Sequence, residues 1–384
     1  MFSMAMPDGV KTILSVLHDG GRQGVLVGGC VRDACMGLTP HDFDIATDAT
    51  PEEMLRLFRA FRVLETGVKH GTVTVLIDHV PYEVTTFRID GNYRDHRRPD
   101  SVTFTTRLED DLARRDFTVN AMAWDGQTLT DPFGGRTDVR ERILRCVGTP
   151  DVRFTEDGLR ILRALRLAAV LGFSIEPQTA AAMRRCRDLL KKIAVERLCA
   201  ELRKLLEGRN AYAVLHEYAD VLRVFLPELS DAGIEAIRTA PTDGLLRLAL
   251  LLDGADAETV LRQLRMDKKT IRSVVQLHAT GMTDARHLLA AVGSQMAHRF
   301  VDYASALGKI ASADAARMHE ELLSLEREKP CLSLRDLAVN GSDLQSLGLS
   351  GSEIGETLNM LIEQVICGDL PNTSEALLNA VRLL

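Results

Sequence analysis

Seven cysteines, at positions 30, 35, 146, 186, 199, 331 and 367, are scattered over 384 residues, odd in number and never spaced as CxxC. That pattern argues against a disulfide framework and against a structural zinc site, and leaves them as reduced, mostly buried thiols. No apolar run approaches the ~18 residues needed to span a membrane, and the start MFSMAMPDGVKT lacks a signal peptide's basic segment and apolar core. The expected location is therefore the cytoplasm, with no membrane partner. There is no internal repeat and no low-complexity linker. His216, His278, His287, His298 and His319 are never followed by Asp, which excludes a fused HD-type phosphohydrolase and leaves them as ordinary surface or core residues. Net positive charge is missing too: the formal charge is −7, whereas nucleic-acid binders are often basic. The deficit is uneven. Residues 153–209 hold thirteen Lys/Arg against seven Asp/Glu, a local excess on which a phosphate backbone can lie.

With 46% hydrophobic and 26% charged residues, the chain is long enough for more than one core and for about two to four domains. Up to about residue 147, short β-branched runs alternate with turns: GVLVGG, DFDIAT, GTVTVLID, YEVTTFRI, VTFTT and FTVNAMAW. They predict an α/β domain with a mixed sheet of about five strands. From about 153 onward Leu, Ala and Arg recur at helical spacing, and the remainder is expected to be all-α. Breaks near Pro150, Gly208 and KPCLS at 329–333 divide the chain into 1–147, 148–208, 209–328 and 329–384.

In LVGGCVRDACMGLTPHDFDIAT an apolar strand runs into Gly28 and Gly29, a helical stretch follows, and a second strand is expected to begin at Asp42. Side chains two apart on a strand share a face, so Asp42 and Asp44 point together while Phe43 and Ile45 face the core. Parallel carboxylates repel unless a cation lies between them, and hard oxygen ligands suit Mg²⁺. Two such ions would activate an attacking 3′-hydroxyl and steady a departing pyrophosphate. The diglycine lets backbone N–H groups approach triphosphate oxygens, and Arg32 adds charge there. Alone, GG or DxD also describes a turn and a solvated strand end. GGxVRD followed nine residues later by DxD is far more specific.

GGCVRDACMG, PHDFDIATDATPEEM, GVKHGTVTV, YEVTTFRIDGNYRDHRRPDSVTF, RRDFTVNAMAWD, DPFGGRTD and RFTEDGLRILRALRLAAVLGF resemble, in order and approximate spacing, the bacterial class II tRNA nucleotidyltransferases, the CCA-adding enzymes. Those belong to the polymerase-β-like nucleotidyltransferase superfamily. The similarity is dense over residues 25–205 and returns weakly in LAVNGSDL. It implies a catalytic head at 1–147, a base-recognising neck at 148–208, a helical body at 209–328 and a tRNA-binding tail at 329–384. It implies CTP and ATP as substrates, two Mg²⁺ ions, and a tRNA partner whose elbow is gripped while its 3′ end is extended. Assembly is left open between a monomer and a weak dimer.

The resemblance also assigns roles. Glu83, in the strand pattern YEVTTFR, becomes a third carboxylate beside Asp42 and Asp44, or else an acid at a sheet edge. In RRDFTVNA, Arg115 is expected at the phosphates and Asp116 and Asn120 toward the ribose, with Arg114 a solvated charge. In EDGLRILRALR, Asp157 and Arg160 lie three apart and are expected on one helical face, with Arg163 continuing the row and Arg166 drifting around it. Without the family this is a surface ion pair; within it the pair replaces a template, Asp157 accepting from the amine of C or A and Arg160 donating to the adjacent ring nitrogen. U and G present the opposite pattern, leaving buried groups unsatisfied at about 1–3 kcal/mol each. The stretch IDGNYRDHRRPDSV, with Asp95, Arg97 and Arg98, matches a flexible loop kept in CCA-adding and A-adding members and shortened in CC-adding ones. Departures are Gly158 in the first turn of the base-reading helix and Leu167 where many relatives have Phe. VERLCAELRKLL is expected to brace that helix, and NGSDLQSLGLSGSEIG to meet phosphate or to cap helices. Competing readings are an A-adding enzyme with a separate CC-adding partner, a bacterial poly(A) polymerase, and a non-catalytic RNA-binding relative.

Overall fold

The computed structural model describes residues 3–40, 42–91 and 102–383. The chain forms two compact units, Met1–Pro227 and Glu228–Leu384. In the first, helix α1 (Asp8–Asp19) precedes strand β1 (Gly24–Val27), helix α2 (Gly29–Cys35), β2 (Asp44–Thr47), α3 (Pro51–Leu57), β3 (Arg62–Leu64), β4 (Thr72–Ile77) and β5 (Val80–Thr86). There follow β6 (Arg88–Asp90), β7 (Val102–Phe104), α4 (Leu108–Ala113), a 3₁₀ turn at Thr118–Asn120, β8 (Ala123–Trp124), β9 (Leu129–Thr130) and α5 (Gly135–Glu141).

The main sheet runs β3-β4-β5-β2-β1-β8-β9, with β2 and β5 parallel and the other neighbours antiparallel. It has seven strands rather than about five, because β3 and β9, only three and two residues long, carry too little alternation to read. VTFTT does not join it; β7 pairs with β6 in a separate ribbon. FTVNAMAW is mostly not a strand either, since the 3₁₀ turn takes its middle. β1 and β2 are central, and Val25, Leu26, Val27, Ile45 and Ala46 are buried on both faces of the sheet. Thr50 starts α3 by a capping box with Glu53, Pro51 standing at the first helical position where its missing N–H costs nothing.

Beyond the sheet come α6 (Pro150–Glu156), α7 (Leu159–Leu171), α8 (Pro177–Cys186), α9 (Val195–Leu206) and α10 (Ala211–Leu222). One departure from the all-α expectation is a short parallel pair, Ile143–Leu144 with Ser174–Ile175. The second unit is helical: α11 (Asp231–Ile237), α12 (Gly244–Leu251), α13 (Ala257–Gln263), α14 (Lys268–Ala279), α15 (Ala285–Val292), α16 (Ser294–Ala306), α17 (Ser312–Glu328), α18 (Gly341–Ser346), α19 (Ser352–Cys367) and α20 (Ser374–Arg382). Asp243, Asp256, Asp267 and Asp284 each cap a helix start by accepting from its first backbone N–H groups. Asn340 makes a capping box with Asp343, so NGSDL is a helix start. Leu344, Leu361, Val365 and Leu377 close a core near the C-terminus. No helix among the described residues is long and apolar enough to cross a membrane.

One close approach fixes the floor of the catalytic unit. Asp131 accepts from the N–H groups of Gly135 and Arg136 at 2.7 and 2.9 Å and so starts α5, and at Gly135 a Cβ would lie 2.2 Å from the Thr118 carbonyl oxygen. Thr118 in turn donates to buried Asp138 at 2.6 Å. Gly135→Ala is expected to push α5 off the Thr118–Asn120 turn and cost about 1–3 kcal/mol. Thermal unfolding checks this; an unchanged midpoint would show that the contact relaxes freely.

Candidate active site

Gly28 leaves β1 with φ 78° and ψ −133°, a conformation a side chain resists, and α2 begins at the next residue. Val27 lies opposite Asp44 in the antiparallel register, so the turn and the start of β2 meet. A Cβ at Gly28 would stand 3.2 Å from Arg115 Nη1 and 3.6 Å from Asp44 Oδ2, which places the bare backbone between a guanidinium and a carboxylate. β2 begins at Asp44, not Asp42; Asp42 lies in the exposed segment just ahead of it. On parallel β5, Val84 pairs with Ile45, which puts Glu83 level with Asp44. Val84 and Thr86 are buried and Glu83 is exposed, as the alternation predicts.

Electrostatics tie these acids together. Desolvation and the neighbouring Asp42 push Asp44 above the usual carboxylate range, Arg115 opposes them, and Glu83 adds to the rise. Asp42 and Glu83 both repel the Asp44 carboxylate, and hard oxygens of this kind suit a divalent cation.

Arg115 is positioned from below by Asp111 on α4, a buried acid that sequence reasoning missed. Asp111 Oδ2 accepts from Arg115 Nη2 at 3.1 Å, and its Oδ1 accepts from Arg114 Nε and Nη2 at 2.9 and 2.7 Å. Burial works to raise Asp111, and the charges and hydrogen bonds of Arg114 and Arg115 outweigh it and hold the carboxyl low. Arg114 is thus a structural partner rather than a solvated charge. The signal was local, since Asp111 stands three and four residues before the two arginines on a helix. Arg115 Nε is buried with no hydrogen-bond partner.

A second group runs from the turn to the helices. Arg32 gives two hydrogen bonds to Asp33 Oδ1 at 2.9 and 2.7 Å and one to Asn120 Oδ1 at 2.7 Å. Asn120 Nδ2 donates to Asp116 Oδ1 at 3.3 Å, and Arg163 Nε and Nη2 donate to Asp116 Oδ2 at 2.8 and 2.5 Å. Burial would raise Asp116, but Arg163, Arg160 and the Asn120 amide hold it down at about 2, and Asp116 in turn raises Arg163.

The base-reading residues are arranged differently from the expectation. Asp157 is not on a helix: its backbone is extended, φ −137° and ψ 104°, between the end of α6 and Gly158 at the start of α7. The helical row breaks at Asp157 itself, since Gly158 already has helical angles, φ −58° and ψ −22°, and the Asp157 side chain finds partners other than Arg160. Asp157 Oδ1 accepts from the Leu159 N–H at 3.0 Å, and Oδ2 accepts from Arg197 Nη2 of α9 at 3.0 Å. Arg160 is buried, donating to Glu156 Oε2 at 2.6 Å and to the carbonyls of Arg153 and Arg114 at 3.1 and 3.0 Å. Arg166 pairs with Glu201 of α9. α9 therefore supplies partners at both ends of the row, and Arg197, forty residues from Asp157, left no local signal. Arg197 Nη1 is buried with no hydrogen-bond partner. Asp95, Arg97 and Arg98 lie outside the described residues.

Comparison with known proteins agrees with this geometry. Three family profiles match in succession: the poly A polymerase head domain over 25–145, a probable RNA- and SrmB-binding site of polymerase A over 172–232, and a putative tRNA nucleotidyltransferase domain 2 over 242–381. The CCA-adding enzyme of Limosilactobacillus fermentum is 38% identical, with 96% of this chain and 95% of the relative covered; that of Bacillus velezensis is 36% identical, with 94% of each covered. The crystal structure of the Bacillus stearothermophilus CCA-adding enzyme in complex with CTP superposes with a TM-score of 0.84 at 32% identity, over 99% of both chains. The Thermotoga maritima CCA-adding enzyme complexed with tRNA, at 21% identity and a TM-score of 0.73 over 98% and 96% of the two chains, shares the fold. With more than a third of its residues shared almost end to end with these relatives, the chain belongs to the CCA-adding tRNA nucleotidyltransferase family.

Proposed function

We propose that this chain adds C, C and A to the 3′ end of tRNA from CTP and ATP, releasing pyrophosphate at each step. The observation that carries the reading is the convergence of Asp42, Asp44 and Glu83 beside the Gly28 turn and Arg115, in a chain related along its whole length to enzymes named for CCA addition. That relationship favours full CCA addition over an A-adding enzyme or a poly(A) polymerase. The four-part division into head, neck, body and tail, a cytoplasmic setting, and contact of tRNA with the helical segments belong to the same reading.

Asp42 and Asp44, with Glu83 beside them, would hold Mg²⁺, whose charge offsets their repulsion. When bound, Mg²⁺ supplies activation of the 3′-hydroxyl and charge neutralisation on the triphosphate. The chain does the rest. Gly28 and Gly29 leave room for phosphate oxygens against the backbone, and Arg115, with a buried Nε free of any partner, offers a guanidinium oriented by Asp111. Arg32, Asn120 and Asp116 present a prearranged polar edge toward the sugar, backed by Arg163.

Base choice is assigned to Asp157 with Arg160, and Arg197 is a positioning residue. Arg197 holds Asp157 Oδ2 toward α9 by one hydrogen bond, and the lone pairs left on the carboxylate can accept from an incoming amine while the pair stays intact. Arg160 must exchange one of its carbonyl partners to donate to a ring nitrogen, which makes base reading a local rearrangement of the Arg114–Arg160 contact. Arg166, tied to Glu201, supports the row from behind.

Three tRNA transcripts, ending before CCA, after C and after CC, tested with each nucleotide separately and Mg²⁺, check the assignment. C is expected on the first two and A on the third. A on the third with no C on the first would make this an A-adding enzyme. Asp42→Ala is expected to lower turnover by about 10²-fold or more while tRNA binding persists, and retained turnover would remove Asp42 from the site. Asp157→Ala is expected to blur selection against UTP and GTP by about tenfold or more, whereas Arg197→Lys, which keeps the charge, blurs it less. An Asp157→Ala enzyme that is slow yet fully selective would refute the template role.

A further inference from the structure

Within the second unit, a Cys/His/Glu cluster lies where α15 meets α19. Glu363 and Cys367 are four apart on α19 and so share a face, and both reach the same atom of α15. His287 Nε2 is 3.1 Å from Glu363 Oε1 and 3.7 Å from Cys367 Sγ. A single ring nitrogen carries at most one hydrogen, so it cannot donate fully to both. Used as a lone pair toward a cation shared with the other two, it satisfies all three groups at once.

The distances fit one class of ion. Bond lengths of about 2.3 Å to sulfur and about 2.0–2.2 Å to nitrogen and oxygen, at tetrahedral angles, set the ligand atoms about 3.6 Å apart for S and N and about 3.3 Å for N and O. The observed separations are 3.7 and 3.1 Å. One thiolate, one imidazole and one carboxylate form a mixed donor set that suits Zn²⁺, whereas hard oxygen sites suit Mg²⁺.

The other ring nitrogen is already arranged for ligation. His287 Nδ1 lies 2.6 Å from Asp284 Oδ2; with its hydrogen donated there, Nε2 can give up its hydrogen and offer its lone pair to a metal in place of the contact with Glu363. Asp284 is itself fixed, because its Oδ1 caps α15 by accepting from the N–H groups of Arg286 and His287, both at 3.0 Å. Two carboxylates, Asp284 and Glu363, stand against the one imidazole. The cation nearest in sequence, Arg286, is directed instead at the Ile366 carbonyl, 3.4 Å from its Nη1.

We propose that His287 Nε2, Glu363 Oε1 and Cys367 Sγ bind one Zn²⁺ ion, with Asp284 orienting the imidazole, and that the ion staples α19 to α15. The thiol proton passes to solvent on binding, and water completes the tetrahedron. The absence of CxxC gave no hint of this, because the ligands are spread over 81 residues and two helices.

Cobalt titration of the full chain, after removal of bound metal with a chelator, tests the site. One equivalent of Co²⁺ is expected to give a thiolate-to-cobalt charge-transfer band that Zn²⁺ abolishes. The band is expected to vanish in Cys367→Ser and in His287→Gln, and Asp284→Asn is expected to weaken metal binding about 10–100-fold. The oxygen ligands at Asp42 and Asp44 give no such band, so failure here leaves the nucleotidyltransferase reading intact. Zinc is also expected to raise the thermal midpoint of the wild-type chain and not of Cys367→Ser, whose metal-free midpoint should match the wild type. No band in the wild-type chain, or a band that survives Cys367→Ser, overturns the proposal.

Discussion

The carboxylate of Asp116 is the point at which the sheet and the helices of the catalytic unit are joined. On one side it accepts from Asn120, which accepts from Arg32 of α2; on the other it takes two hydrogen bonds from Arg163 of α7. A buried ion pair of this kind repays its desolvation only when its geometry and remaining hydrogen bonds are complete, and here they are. Helix α2, the Thr118–Asn120 turn and α7, which carry the residues proposed to face phosphate, sugar and base, are therefore held in one frame. Nucleotidyl transfer needs such a frame, because the reacting phosphorus and the base being read lie at opposite ends of the same nucleotide, and a shift of about 1 Å at either end is costly.

A second connection runs through Arg160. Its guanidinium reaches the Arg114 carbonyl, and Arg114 shares Asp111 with Arg115. A base contact that draws Arg160 away would loosen the segment carrying the phosphate-binding arginine, while one that leaves it in place would not. The residues proposed to read the base and to bind phosphate are thus linked through one carbonyl. Discrimination arises here from differences in how well buried groups are satisfied, the regime in which hydrogen-bonding sites reject wrong partners most strongly.

The parts of this arrangement that could be read from the chain are those set by short-range periodicity. Alternation placed Glu83 opposite Val84 and Thr86, and the diglycine placed a turn between β1 and α2. The helical row of Asp157 and Arg160 failed for an equally local reason, since the backbone is extended at Asp157, between the end of α6 and the start of α7. Contacts such as Arg197 with Asp157 and Arg163 with Asp116 span 40 and 47 residues, and no spacing rule encodes them. The strands missed, β3 and β9, are too short to show a period, and VTFTT, though correctly read as a strand, pairs with β6 outside the main sheet because pairing partners are a tertiary property.

The contrast among the acids identifies the site without any appeal to likeness. Asp111 and Asp116 are buried deeper than Asp44, yet both are held below the ordinary carboxylate range, because each was given arginines and hydrogen-bond donors that outweigh desolvation. Asp44, nearer to water, is pushed the other way: desolvation raises it, Asp42 and Glu83 add to the rise, and Arg115 opposes them. Among the described residues, Asp44 is thus the acid whose surroundings favour a cation, in keeping with the proposed metal site. Folding alone gains nothing from that cluster, whereas a cation and a triphosphate gain a site whose repulsion is relieved only when they bind.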